Sequence, residues 1–226
     1  HNFTLVHDDV MDNAASRRGR STVHTKWDVN TAILSGDILL GFAYKEILKS
    51  RNIPRVLEVF TDGFLTVCEG QALDLDFEHR SNVTLGEYFM MIEKKTGRLI
   101  AESAELGACI GGGTETDIAS LRKFGHYLGR AFQLQDDLLD VVADEKEFGK
   151  TIGGDIVEGK KTFLLLRSLG LTRGKERKDL MRVMNRNVAT PWRATPWRAT
   201  RRRATRWRAT PRRSRYTATS APSRMR

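Results

Sequence analysis

One pattern, written twice, constrains this chain more than any other feature. His7-Asp8-Asp9-Val10-Met11-Asp12 and Gln135-Asp136-Asp137-Leu138-Leu139-Asp140 both read Asp-Asp-x-x-Asp, with 128 residues separating their first aspartates. Residues four apart share a helix face, so Asp8 points with Asp12, and Asp136 with Asp140. Like charges at that spacing destabilise a bare helix. The surroundings are nonetheless apolar: Phe3, Leu5, Val6, Val10 and Met11 around the first copy, Phe132, Leu134, Leu138 and Leu139 around the second. Burying several uncompensated carboxylates is unfavourable enough to force protonation or a counter-charge. A cation site removes the conflict, and carboxylate oxygens without His or Cys ligands suit Mg²⁺ rather than zinc. A single copy would read as a solvated helix edge. Two copies facing each other across a bundle would instead make a metal-filled mouth above an apolar interior, a place for a diphosphate and its hydrocarbon.

The remaining pattern up to about residue 188 is helix after helix, which predicts an all-α bundle. Ile33, Leu34, Ile38, Leu39, Phe42, Ile47 and Leu48 mark a helix over 31–48. Others are expected over 55–77, after the interruption at Pro54, and from Leu85 through Lys95-Thr96 to Ile110, closed by Gly111-Gly112-Gly113. Asp117 is placed to start the next, running to Asp144, and shorter helices should cover 161–169 and 175–184.

The net charge of +10 belongs to one end of the chain. Twelve arginines and no Lys, Asp or Glu lie in 189–226, so residues 1–188 carry a net −2. That tail is an imperfect Arg-Ala-Thr repeat with Pro and three of the four Trp, and its composition predicts disorder. An Arg/Trp arm could neutralise phosphates and stack on bases. The abrupt switch in mid-pattern favours an out-of-frame end instead, so no nucleic-acid partner is expected unless the tail is genuine. No apolar run approaches the ~20 residues of a membrane span, no cleavable leader is recognisable, and the two cysteines lack disulfide or metal spacing. A cytoplasmic location is the expectation.

Five ordered pieces carry a specific resemblance. Asp8-Asp9-Val10-Met11-Asp12 with Arg17-Arg18-Gly19 resembles the first aspartate-rich motif of the polyprenyl synthetase family, and Phe132 to Asp140 resembles the second. Gly70-Gln71-Ala72-Leu73-Asp74-Leu75, Lys95-Thr96-Gly97 and Gly149 to Asp155, with Lys160 and Thr162, fall between and after them in the family's order. The resemblance implies an isoprenoid-synthase-type bundle over residues 1–188 and a trans-prenyltransferase. Such an enzyme joins isopentenyl diphosphate to an allylic diphosphate (dimethylallyl, geranyl or farnesyl) through a carbocation, usually as a homodimer. It further implies that Asp8 and Asp12 bind two Mg²⁺ ions and Asp136 a third, supported by Asp9, Asp137 and Asp140. Arg17, Lys95, Thr96, Gln133 and Lys150 would meet the allylic diphosphate, and Arg18 the isopentenyl diphosphate. Lys160 would help close a lid whose freedom comes from Gly153 and Gly154. Phe3, five residues before Asp8, would form the floor that limits the product to farnesyl or geranylgeranyl length.

Family members carry further helices before the first cluster, with a Gly-Gly-Lys-Arg-type segment for isopentenyl diphosphate. This sequence opens directly on the cluster, so an incomplete isopentenyl half is expected. A terpene cyclase also uses an aspartate-rich helix, but the second Asp-Asp-x-x-Asp and Arg17-Arg18 speak for two diphosphates. A non-catalytic subunit of a complete synthase remains the other alternative.

Overall fold

The computed structural model describes residues 1–142, 155 and 160–184. The chain divides into a unit from His1 to Pro191 and a second from Trp192 to Arg226. The expected tail, Lys150 and the Gly153-Gly154 hinge all lie outside the described residues.

Helices dominate the described part of the first unit. In order they are α1 (Asn2–Met11), α2 (Val23–Lys26), α3 (Val29–Ile47), α4 (Ile53–Glu78), α5 (Leu85–Ile92), α6 (Arg98–Ile110), α7 (Glu115–Val142), α8 (Phe163–Leu171) and α9 (Gly174–Met184). Local chemistry explains most boundaries. Asp28 caps α3 by accepting from the Thr31 N–H at 2.8 Å. Thr84 and Glu87 form a reciprocal capping box at the start of α5. Gly112, at φ +77°, ends α6 in a Schellman turn in which the Gly113 N–H donates to the Ala108 carbonyl at 2.9 Å. Pro54 begins α4 rather than interrupting it, because the first turn has no use for its missing N–H. Thr114, in a reciprocal pair with Asp117, starts α7 two residues before the expected point.

Two features depart from the sequence expectation. A two-stranded antiparallel hairpin, β1 (Ser16–Arg17) and β2 (Arg20–Ser21), follows α1. The helix expected to run unbroken from Leu85 to Ile110 contains one π-helical turn, Glu93–Gly97, between α5 and α6.

Glycine contacts clamp that turn from both sides. A Cβ on Gly70 of α4 would lie 2.3 Å from the backbone nitrogen of Lys95, and one on Gly129 of α7 would lie 2.4 Å from Cα of Gly97. Backbones can approach this closely only where no side chain intervenes. Beside the turn, Phe77, Val83, Tyr88, Met91, Ile92 and Leu166 form the main buried cluster and join α4, α5 and α8. By contrast, Ile33, Leu34, Ile38 and Phe42 leave a row on α3 that is 43–61% exposed. Among the described residues no helix is long and apolar enough to cross a membrane.

Candidate active site

The first aspartate cluster is shaped by the way α1 ends. Asn13 takes the left-handed conformation (φ 49°), Ala14 N–H donates to the Asp9 carbonyl, and Asn13 N–H donates to that of Val10. This Schellman motif uses Asn where Gly is commoner. The chain then doubles back through the hairpin, whose two turn residues, Arg18 (φ 53°) and Gly19 (φ 71°), have the positive φ of a tight turn. Ser16 pairs with Ser21, and Arg17 with Arg20. The result returns Arg17 to α1, where its Nε donates to Asp9 at 2.6 Å and its Nη2 to Asp8 at 3.4 Å. Arg18 stands exposed at the tip, outside the cavity lining.

The π turn supplies the opposite wall. Successive residues of an ordinary helix point about 100° apart, yet Lys95 and Thr96 both line the same cavity. Lys95 Nζ donates to Asp74 on α4 at 2.6 Å and lies 3.5 Å from Asp8. Burial opposes its charge, but Asp74, Asp8 and Asp12 together raise its pKa above the usual lysine value. Thr96 Oγ1 donates to Gln133 Oε1 at 2.7 Å.

The second cluster faces two ways. Asp136 and Asp137 both line the cavity, and Asp140 does not. Asp137 is 3% exposed and accepts from three protein groups: Tyr88 Oη at 2.6 Å, Gln133 Nε2 at 3.0 Å and the Phe163 N–H at 3.0 Å. Asp140 accepts from the Asp155 N–H at 3.3 Å. Lys160, whose N–H is tied to the Asp155 carbonyl and whose Nζ lies 3.6 Å from the Asp155 carboxylate, lines the cavity as well.

These walls enclose about 570 Å³. The charged end holds Asp8, Asp12, Asp136, Arg17, Lys95 and Lys160, while the far end is apolar. There Phe3 packs edge to face on Phe64 with ring centroids 5.6 Å apart, and Val67 and Leu99 add to the lining. Burial, and then the neighbouring Asp8, raises the Asp12 carboxyl above the usual aspartate range. Glu78 is raised by burial first and by Asp74 and Asp12 after it. Gln71 donates its Nε2 to Asp12 at 3.5 Å, but its buried Oε1 has no hydrogen-bond partner. Among the described residues no three His, Cys, Asp or Glu side chains already surround one point. Even so, strained carboxylates beside an orphaned amide oxygen make a donor set that fits a hard divalent cation and its water shell.

Asp8, Asp12, Asp136, Asp137, Arg17, Lys95, Thr96, Gln133, Lys160 and Phe3 thus line one cavity, although they come from distant parts of the sequence. Asp9, Asp140 and Arg18 do not line it. Gln71 and Asp74 belong to the Gly70–Leu75 motif but had no role expected from sequence, and Tyr88 and Phe64 were not among the expected site residues. A polar Tyr within the apolar run before Lys95 was the one signal for Tyr88.

A helical bundle with carboxylates and cations around the mouth of a deep apolar pocket defines a class of protein that holds a charged head group and buries a hydrocarbon. The comparisons give the family. The polyprenyl synthetase family matches residues 1–193, and the chain belongs to it. It is 43% identical over 187 residues to the short chain isoprenyl diphosphate synthase of Methanothermobacter thermautotrophicus, covering 81% of this chain and 58% of that protein. The crystal structure of geranylgeranyl pyrophosphate synthetase from Pyrococcus horikoshii matches with a TM-score of 0.77 at 42% identity, covering 83% of this chain and 59% of the other. A polyprenyl synthase from Caulobacter crescentus, crystallised with calcium and isoprenyl diphosphate, matches at 0.77 and 33% identity, covering 90% and 60%. The chain therefore spans a little under three-fifths of the length of that curated relative.

Proposed function

We propose that this chain carries the allylic half of a short-chain trans-prenyltransferase, which condenses isopentenyl diphosphate with an allylic diphosphate. One observation carries the reading: a single cavity is lined by four aspartates of the paired motifs, Asp8, Asp12, Asp136 and Asp137, and by the Phe3–Phe64 pair at its apolar end. The allylic C–O bond breaks and pyrophosphate leaves with the electron pair. The isopentenyl double bond then attacks the cation, and loss of a proton restores a double bond. Bound Mg²⁺, held by Asp8, Asp12 and Asp136, would neutralise the charge that develops on the leaving group. Arg17 and Lys95, now resting on carboxylates, are the cations placed to turn to a diphosphate. Asp9 holds Arg17 in reach, and Asp140 accepts from the Asp155 N–H at 3.3 Å. Lys160 meets the diphosphate from the far rim, and Arg18 meets isopentenyl diphosphate once the hairpin turns inward. Thr96 and Gln133 face the reacting carbon.

The aromatic floor favours farnesyl or geranylgeranyl diphosphate over long chains. The protein works as a homodimer, whose formation would bury the exposed apolar row of α3. Its free Cys68 and Cys109 are in keeping with the reducing cytoplasm.

The test is Mg²⁺-dependent incorporation of labelled isopentenyl diphosphate onto geranyl diphosphate, with products resolved by length. Asp8→Ala should lower the rate by about a hundredfold or more, and Phe3→Ala should lengthen the products. A chain that neither turns over nor binds an allylic diphosphate analogue with Mg²⁺ would sink the reading. An unchanged product distribution in Phe3→Ala would remove the ruler role alone.

A further inference from the structure

Three hydrogen bonds in series run along the cavity wall, from Tyr88 through Asp137 and Gln133 to Thr96, all four of which line the cavity. Tyr88 Oη donates to Asp137 Oδ2 at 2.6 Å, Gln133 Nε2 donates to Asp137 Oδ1 at 3.0 Å, and Thr96 Oγ1 donates to Gln133 Oε1 at 2.7 Å. Although both line the cavity, Tyr88 is only 2% exposed and Asp137 3%, so water has little access to either group. The direction of the series is fixed by chemistry. An ionised carboxylate only accepts, so Asp137 takes the Nε2 end of the Gln133 amide and turns Oε1 toward Thr96. The Thr96 hydroxyl gives its single proton to that oxygen, which leaves its lone pairs to the cavity that Thr96 and Gln133 both line. With the amide reversed, Nε2 would face Thr96 and an N–H would border the cavity.

We propose that Tyr88 and Asp137 are positioning residues that lock the Gln133 amide so that the wall formed by Thr96 and Gln133 presents oxygen, not N–H, to positive charge developing on the substrate carbon. Asp137, itself part of the lining though only 3% exposed, also sets a negative charge beside Gln133. Tyr88 holds Asp137 in the one rotamer that serves both purposes. The Phe163 N–H, at the start of α8, anchors the same carboxylate from a third direction. This inference rests on the prenyltransferase reading, because it assigns positive charge to the ligand at Thr96 and Gln133.

The experiment compares two ligands on the full chain with Mg²⁺ by calorimetry. One is an allylic thiodiphosphate, neutral at the reacting carbon; the other is an ammonium analogue carrying a positive charge there. The wild type should prefer the cationic ligand. Tyr88→Phe should cut that preference about five- to tenfold, the size of one ordinary hydrogen bond, and leave affinity for the thiodiphosphate unchanged. In a Gln133→Leu background, Tyr88→Phe should have no further effect on preference, because the series is already broken. Equal losses on both ligands, an unchanged preference, or an effect that persists without Gln133 would each overturn the proposal in favour of a purely structural tyrosine. A wild type that binds both ligands equally well would overturn it while leaving the prenyltransferase reading standing. Binding of neither ligand would bring down that reading first and the proposal with it.

Discussion

Asp9 and Asp137 hold the same place in the same five-residue pattern, yet the fold neutralises them by opposite means. Asp9 lies under a guanidinium: Arg17 returns along the hairpin to meet it at 2.6 Å and is itself about a third exposed. Asp137 lies under neutral donors from α5, α7 and the start of α8. One cluster is held by a charge that can still reach water, the other by a closed set of hydrogen bonds. A guanidinium on a short hairpin can leave its carboxylate when a better anion arrives. Three neutral donors converging on one buried carboxylate cannot. The first cluster is therefore suited to rearrangement around a ligand, and the second to rigid support.

Removing the carboxylates should expose this difference most sharply. Asp137→Ala strands the Tyr88 hydroxyl, the Gln133 amide and the Phe163 N–H, and should destabilise the protein by about 4 kcal/mol in urea unfolding. A loss below about 1 kcal/mol would mean that the buried set is not the closed network its distances describe.

Glu102 supplies a third case, a buried carboxylate with neither kind of partner. It is 5% exposed, and among the described residues no hydrogen bond or ion pair reaches it. Burial pushes its carboxyl up to about 7, despite the opposing influence of Arg98. Its folded-state value thus lies above the ordinary 4.5, and between the two the folded chain binds the proton more tightly than the unfolded chain does. Stability should therefore fall as pH rises from about 4.5 through about 7, and remain lower above that. Glu102→Gln should add about 3 kcal/mol above pH 7 and nothing near pH 4. An equal effect at both pH values would show that protonation is not the cause.

The smallest expected effect belongs to the first cluster. Asp9→Ala leaves Arg17 free to turn to solvent or to Asp8, so it should lower stability by no more than about 1 kcal/mol, and by less as salt is added. If Asp9→Ala proved as damaging as Asp137→Ala, the contrast between the clusters would collapse.

Much of the frame was legible because helix signals are local. The apolar spacing of 31–48 gave α3 within two residues, and the triple glycine after Ile110 gave the end of α6. The i, i+4 rule put Asp8 and Asp12 toward one cavity, even though the helix proper ends at Met11 and Asp12 is its cap. The π turn was not legible. It lasts five residues, too few to shift the apolar period, and contacts from Gly70 and Gly129 in other helices press against its backbone. The hairpin was equally hidden, because its turn places an Arg where Asn or Gly would have announced it.

By itself, then, the sequence determined a bundle of helices and two carboxylate triplets that needed a counter-charge, since both follow from residue type and spacing along one helix. Which aspartates line the cavity, and which partners each one meets, was decided by tertiary structure alone. The partners of Asp137 lie 49 residues before it and 26 after it as well as on its own helix, and Thr96 meets Gln133 across 37 residues. Spacing along one helix fixes a face, but only packing between helices determines what that face meets.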